Sequence, residues 1–122
     1  GIDAWNERFE RAYCARGFSI RDPARAAWLF RLARMTASER RIVTGAMERS
    51  PVETYWGRFD RPTLLLYGAD DLVGHPENAE DLHRRLPRST LVYIEDAGHF
   101  VISEQAERFA AEVRRWVEQQ GL

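Results

Sequence analysis

Asp71 and His99 stand 28 positions apart, each just beyond a short apolar run, in the segments Gly68-Ala69-Asp70-Asp71 and Asp96-Ala97-Gly98-His99-Phe100. A carboxylate that accepts the Nδ1–H of an imidazole fixes the ring's tautomer and leaves Nε2 as a general base. Such a pair makes two members of a nucleophilic triad. The third member, an activated nucleophile, is missing: the pattern G-x-S-x-G does not occur in the 122 residues. The chain therefore reads as part of a catalytic apparatus.

The neighbouring residues offer less. Asp70 is the alternative acid, although an Asp after a strand also serves simple turn chemistry. Gly98 permits close backbone approach beside the histidine. His75 is a loop residue and His83 stands between Leu82 and the pair Arg84-Arg85 on a helix face; neither has Cys or carboxylate partners at metal-ligand spacing, so no metal is expected. Asp96 reads as a strand-end turn residue. The single Cys14 reads as structural, since a lone cysteine forms no internal disulfide. All 18 cationic side chains are Arg, which excludes Schiff-base chemistry on lysine within these residues.

The elements that must position the pair follow from periodicity. Thr63-Leu64-Leu65-Leu66-Tyr67, bounded by Pro62 and Gly68, is a continuous apolar run of the kind found in a parallel strand buried on both faces. Thr90–Ile94 is a second strand. Between them Pro76 opens a helix reaching about Leu86, with Ala79, Leu82 and Leu86 on one side, and Pro87 stops it. Ser103 is expected to cap a last helix whose Ala106, Phe109, Ala110, Val113, Trp116 and Val117 follow the 3.6-residue period. Catalytic groups in open α/β sheets gather beyond the carboxyl ends of strands, where both Asp71 and His99 fall. Strands ~4.8 Å apart bring the two loops within side-chain reach. Two parallel strands alone leave both edges open, so further strands must come from a preceding segment or a partner chain.

Residues 1–59 read as helical instead. Trp5, Phe9, Ala12 and Tyr13 recur at helical spacing, with Gly17 as a stop. Asp22-Pro23 offers an N-cap followed by proline at the first helical position. Thr36-Ala37-Ser38-Glu39 has capping-box spacing ahead of Ile42, Val43, Ala46 and Met47, and Ser50-Pro51 ends that helix. The aromatic residues here outnumber what short helices need for packing. Trp28 and Trp56, with Phe100 from the histidine loop, are the candidates for lining a substrate cavity.

The run Arg61-Pro62-Thr63-Leu64-Leu65-Leu66-Tyr67-Gly68-Ala69-Asp70-Asp71 resembles a late-strand segment of the α/β-hydrolase fold superfamily. Leu86–Ile94, followed by Asp96-Ala97-Gly98-His99-Phe100, is similar to that family's final strand and histidine loop, and Glu104 with the helix around Phe109 matches the usual ending. The resemblance covers residues 60–120. It implies that Asp71 is the triad acid and His99 its base. The family's chain order of nucleophile, acid, histidine implies a nucleophile elbow and part of the oxyanion hole upstream of Gly1. Residues 1–59 correspond by position to a helical cap or lid, and residues 60–122 to the C-terminal part of the core. The implied fold class is α/β, two parallel strands with helices preceded by a helical cap, the sheet being completed by another segment.

On this reading the chain is part of a hydrolase. Its partners are a small-molecule substrate and an N-terminal hydrolase segment carrying the nucleophile, with no cofactor. The nucleophile, whether Ser, Asp or Cys, and the bond it attacks stay open. The rival reading is a non-catalytic module of the same fold that binds a small molecule or a partner. A net charge of −1 gives no reason to expect nucleic acid or a membrane surface as partner. The N-terminus lacks a signal-peptide core, and a cytoplasmic location is expected.

Overall fold

The apolar run after Pro62 forms β1 (Thr63–Gly68), and the second run forms β2 (Ser89–Ile94). They pair in parallel, with Thr63 opposite Ser89 and Gly68 opposite Ile94. The structure, a computed structural model, describes residues 4–49 and 59–121, apart from the side chain of Ala37. Among them the sheet has the order β1–β2.

Among the described residues four helices precede the sheet: α1 (Ala4–Tyr13), α2 (Phe18–Arg21), α3 (Pro23–Leu32) and α4 (Ala37–Glu48). Their starts follow the expected chemistry. Asp22 caps α3 by accepting from the Arg25 N–H at 2.9 Å, with Pro23 in the first turn. Thr36 and Glu39 close the capping box of α4. The expected end of α4 at Ser50-Pro51 lies outside the described residues. Gly17 behaves differently from expectation. Helix α1 already ends at Tyr13, and Gly17, with φ 75°, adopts the left-handed conformation that lets the chain turn into α2.

Helix α5 (Pro76–Arg85) bridges the strands. The chain ends in α6 (Val101–Glu104) and α7 (Ala106–Gln120). Ser103 does not cap the last helix; it sits inside α6, and the break falls at Gln105 (φ −136°, ψ 51°). The reason is Glu104, which turns inward to bind backbone N–H groups and so interrupts what would otherwise be one helix. On α7, Phe109, Val113, Trp116 and Val117 are half-buried, and the Trp116 Nε1–H donates to the Thr90 hydroxyl at 3.3 Å.

The core lies where α1, α2 and α3 meet. Phe9, Cys14, Phe18, Ala26, Leu29 and Phe30 are buried there, with Trp5, Tyr13 and Phe100 packed against them. Phe9 is its hub: its ring lies 4.9 Å from Trp5, 5.0 Å from Tyr13, 5.4 Å from Phe100 and 5.6 Å from Phe30. Through Phe100, the core reaches directly to the residue beside His99. Among the described residues, no helix is long and apolar enough to cross a membrane.

Candidate active site

Beyond β1 and β2 the backbone keeps pairing. The Ala69 N–H donates to the Ile94 carbonyl and the Asp70 N–H to the Ala97 carbonyl, both at 2.9 Å. The loops carrying Asp71 and His99 are thus stitched together by peptide groups before any side chain acts. A Cβ on Gly68 would sit 2.2 Å from the Gly98 carbonyl oxygen, so this approach requires glycine.

Asp71 is fixed by its own turn. Its Oδ1 accepts the N–H groups of Val73 and Gly74, each at 2.8 Å, an arrangement typical of Asp in turns. Oδ2 is left to face His99, whose Nδ1 lies 3.1 Å away. An ionised carboxylate only accepts, so Nδ1 carries the proton and Nε2 is the basic nitrogen. Burial opposes charge on Asp71, but it is outweighed by the N–H groups of Gly74 and Val73 and by His99, so its pKa lies below the ordinary carboxylate value. Asp71 is nearly inaccessible (7 %), whereas the His99 side chain is 40 % exposed. The carboxylate sits inside and the imidazole faces outward. The His99 N–H donates to the Tyr13 carbonyl at 2.7 Å, which ties the loop to the end of α1.

His99 opens onto a cleft of about 1010 Å³. Phe9, Trp28, Leu29, Met47 and Phe100 are among its lining residues, and Arg8 and Arg40 supply charge. Of the three residues expected to line a cavity, Trp28 and Phe100 line this cleft together with His99, and Trp56 lies outside the described residues. A second cleft, of about 1030 Å³, is lined by Glu7, Glu10, Asp70, Asp71, His75 and Glu77 among others. Asp70 lines this second cleft beside Asp71. His83 bonds the Ser89 hydroxyl at 2.7 Å, and Asp96 takes a left-handed turn (φ 57°). Among the described residues, no group of His, Cys, Asp and Glu is arranged to hold a metal ion.

Glu104 is the residue whose part the sequence does not disclose. It is buried, and its carboxylate accepts the N–H groups of Ala15 (2.6 Å), Gly98 (3.1 Å) and Phe100 (3.2 Å). Its match to the family's usual ending marks the position but not its backbone partners. Arg21 and Gln105 add hydrogen bonds to the Asp96 carbonyl, and Arg25 pairs with Glu107 at 3.0 Å, joining α3 to α7.

Residues 45–106 match the sequence profile of the alpha/beta hydrolase fold family, and the chain belongs to that family. Over 73 residues it is 41 % identical to a pimeloyl-[acyl-carrier protein] methyl ester esterase of Neisseria meningitidis serogroup B (strain MC58). That match takes in 60 % of this chain and 28 % of the esterase. The protein of the same description from serogroup A (strain Z2491) is likewise 41 % identical over 73 residues, with 23 % of its length covered. In three dimensions the chain is similar to a thermophilic esterase from Thermogutta terrifontis, solved with malate bound. The TM-score is 0.78 at 26 % identity, over 93 % of this chain and 43 % of that one. The helices and two-stranded parallel sheet are accordingly part of an α/β-hydrolase fold, as the resemblance implied. The chain spans about a quarter of the length of the curated relatives it matches.

Proposed function

We propose that these residues form the acid–base part of a carboxylic ester hydrolase. The observation that carries this reading is the Asp71–His99 hydrogen bond at the edge of an apolar cleft, with the acid buried and the base exposed. His99 takes the proton of the nucleophile through Nε2 and later returns it to the leaving alcohol. Asp71 holds the tautomer and stabilises the imidazolium. The nucleophile is contributed by a strand–turn–helix elbow outside these residues, in esterases of this fold a serine, together with the oxyanion-hole N–H groups. The helices preceding β1 act as the cap, and the cleft between cap and core takes the acyl chain.

The cleft's aromatic and aliphatic lining favours an ester with an apolar acyl portion over a small polar one. The relatives described as acting on the methyl ester of an acyl group borne by a carrier protein support a small alcohol as leaving group.

The test is hydrolysis of nitrophenyl and methyl esters of graded acyl length by the protein complete with its nucleophile-bearing segment. Asp71→Asn is expected to lower turnover about 10²–10⁴-fold with little loss of stability, and Asp70→Asn to be far milder. His99→Ala should abolish turnover. Equal damage from the two Asp changes, or full turnover without His99, overturns the assignment.

A further inference from the structure

Glu104 is a buried carboxylate whose hydrogen-bond partners all lie in the backbone on either side of the base or in the segment packed against it. Its Oε1 accepts from Gly98 and from Phe100, the two residues flanking His99, and its Oε2 accepts from Ala15. The N–H of His99 itself goes to the Tyr13 carbonyl. Three consecutive amides, 98 to 100, are therefore held, two by one carboxylate oxygen and one by a carbonyl of the end of α1. The close fit leaves no room for drift: a Cβ on Gly98 would lie 2.6 Å from the Tyr13 carbonyl oxygen and 2.8 Å from the Ala15 nitrogen.

We propose that Glu104 is a positioning residue for His99. By gripping the backbone on both sides of the histidine and the α1–α2 junction together, it sets the height and tilt of the imidazole over the cleft. The inference rests on the reading of Asp71 and His99 as acid and base. A carboxylate suits the task because both of its oxygens accept and none donates. Three N–H donors converge on it. A glutamine in the same place has one accepting oxygen, and its NH₂ group would face either the Ala15 N–H or the Gly98 and Phe100 N–H groups. An aspartate keeps both acceptors on a stem one methylene shorter, which cannot reach both sides at once. The Arg25–Glu107 pair also joins the helices to the core, and it touches nothing within residues 98–100.

The test compares Glu104→Gln, Glu104→Asp, Arg25→Ala and His99→Ala in the protein complete with its nucleophile-bearing segment, with ester hydrolysis and the NMR signal of the His99 Nδ1 proton as readouts. That proton is deshielded by its bond to Asp71. Glu104→Gln is expected to lower kcat about 10- to 100-fold, with KM changed by no more than about twofold, and to broaden or shift the Nδ1 signal. Glu104→Asp should show the same pattern, and it carries the test if the Gln variant does not fold. Arg25→Ala should lower thermal stability and leave kcat and the ring proton unchanged. If the Glu104 variants lose stability but keep kcat and the Nδ1 signal, Glu104 is only a staple between helices and core, and the inference falls. If His99→Ala keeps full turnover, the underlying acid–base reading falls instead.

Discussion

Asp71 and Glu104 are both buried carboxylates, yet they respond to acid in opposite senses. For Asp71, burial is outweighed by its N–H donors and His99, so its folded pKa is depressed. Its contribution to stability is present above the unfolded value of about 4 and is lost as pH falls through the lower folded value. For Glu104, burial dominates over the N–H groups of Ala15, Gly98 and Phe100, so its folded pKa is raised. Glu104 is then protonated more readily in the folded protein than in the unfolded chain, so that group opposes acid unfolding. The acid dependence of stability is thus a difference between the two. Asp71→Asn removes one side of it. Denaturant unfolding between pH 6 and pH 3 should show the variant losing less stability than the parent protein, and an equal or steeper loss would contradict this account. Cys14 provides a second residue-scale check. Burial, then the charges of Glu104 and Glu10, push its thiol up to about 12. At pH 8 only about one molecule in ten thousand carries the thiolate, so the native protein should resist alkylation that the denatured protein accepts readily. Rapid native labelling would show that the α1–α2 junction opens.

At the scale of elements, α1 is both a wall of the cleft and a support of the histidine loop, because Phe9 touches Phe30 on one side and Phe100 on the other. Phe9→Ala should cost about 3–5 kcal/mol in equilibrium unfolding, the range for deleting a buried ring. A cost near that of a surface change would show that Phe9 is not the hub of this core. Much of this arrangement was legible beforehand. The apolar runs ending in Gly68 and Ile94 signal parallel strands, and groups just beyond neighbouring strand ends come together, so the meeting of Asp71 with His99 follows from their place in the sequence. The caps at Asp22 and Thr36 follow from residue type alone. Ser103 does not act as a cap because its capping tendency competes with a tertiary contact that no local pattern records. Glu104 binds backbone amides as far as 89 positions away, and any residue can provide an amide, so its partners leave no trace in residue types. For the same reason Met47 and Val73 could not be foreseen beside the cleft.

For the molecule as a whole, the sheet edge sets the limit. Among the described residues β1 is bonded only to β2, and Leu64 and Leu66 are left half-buried along a strand of a kind that is normally covered on both sides. An unpaired apolar edge recruits a neighbour or aggregates. The 122 residues expressed alone should therefore self-associate or be digested rapidly, and should be protected when the nucleophile-bearing segment is present. Solution scattering and limited proteolysis would decide it; a protease-resistant monomer with a single cooperative unfolding transition would count against the proposed need for a further strand.

The grip of Glu104 on Ala15 also bears on the order in which the site is assembled. The Asp71–His99 bond closes a loop of 28 residues, whereas the Glu104–Ala15 bond closes one of 89. Loop-closure entropy makes the longer closure more costly by about 1 kcal/mol, before any difference in stiffness. Asp71 and His99 can thus meet while the chain is still collapsing around the β1–α5–β2 unit, and the helices arrive afterwards to lock a loop that is already paired. Opening should run in reverse. In native-state hydrogen exchange the Ala15 amide should be released at a lower free energy than the amides of Ala69 and Asp70, so that the cleft comes apart while its chemistry is still in register.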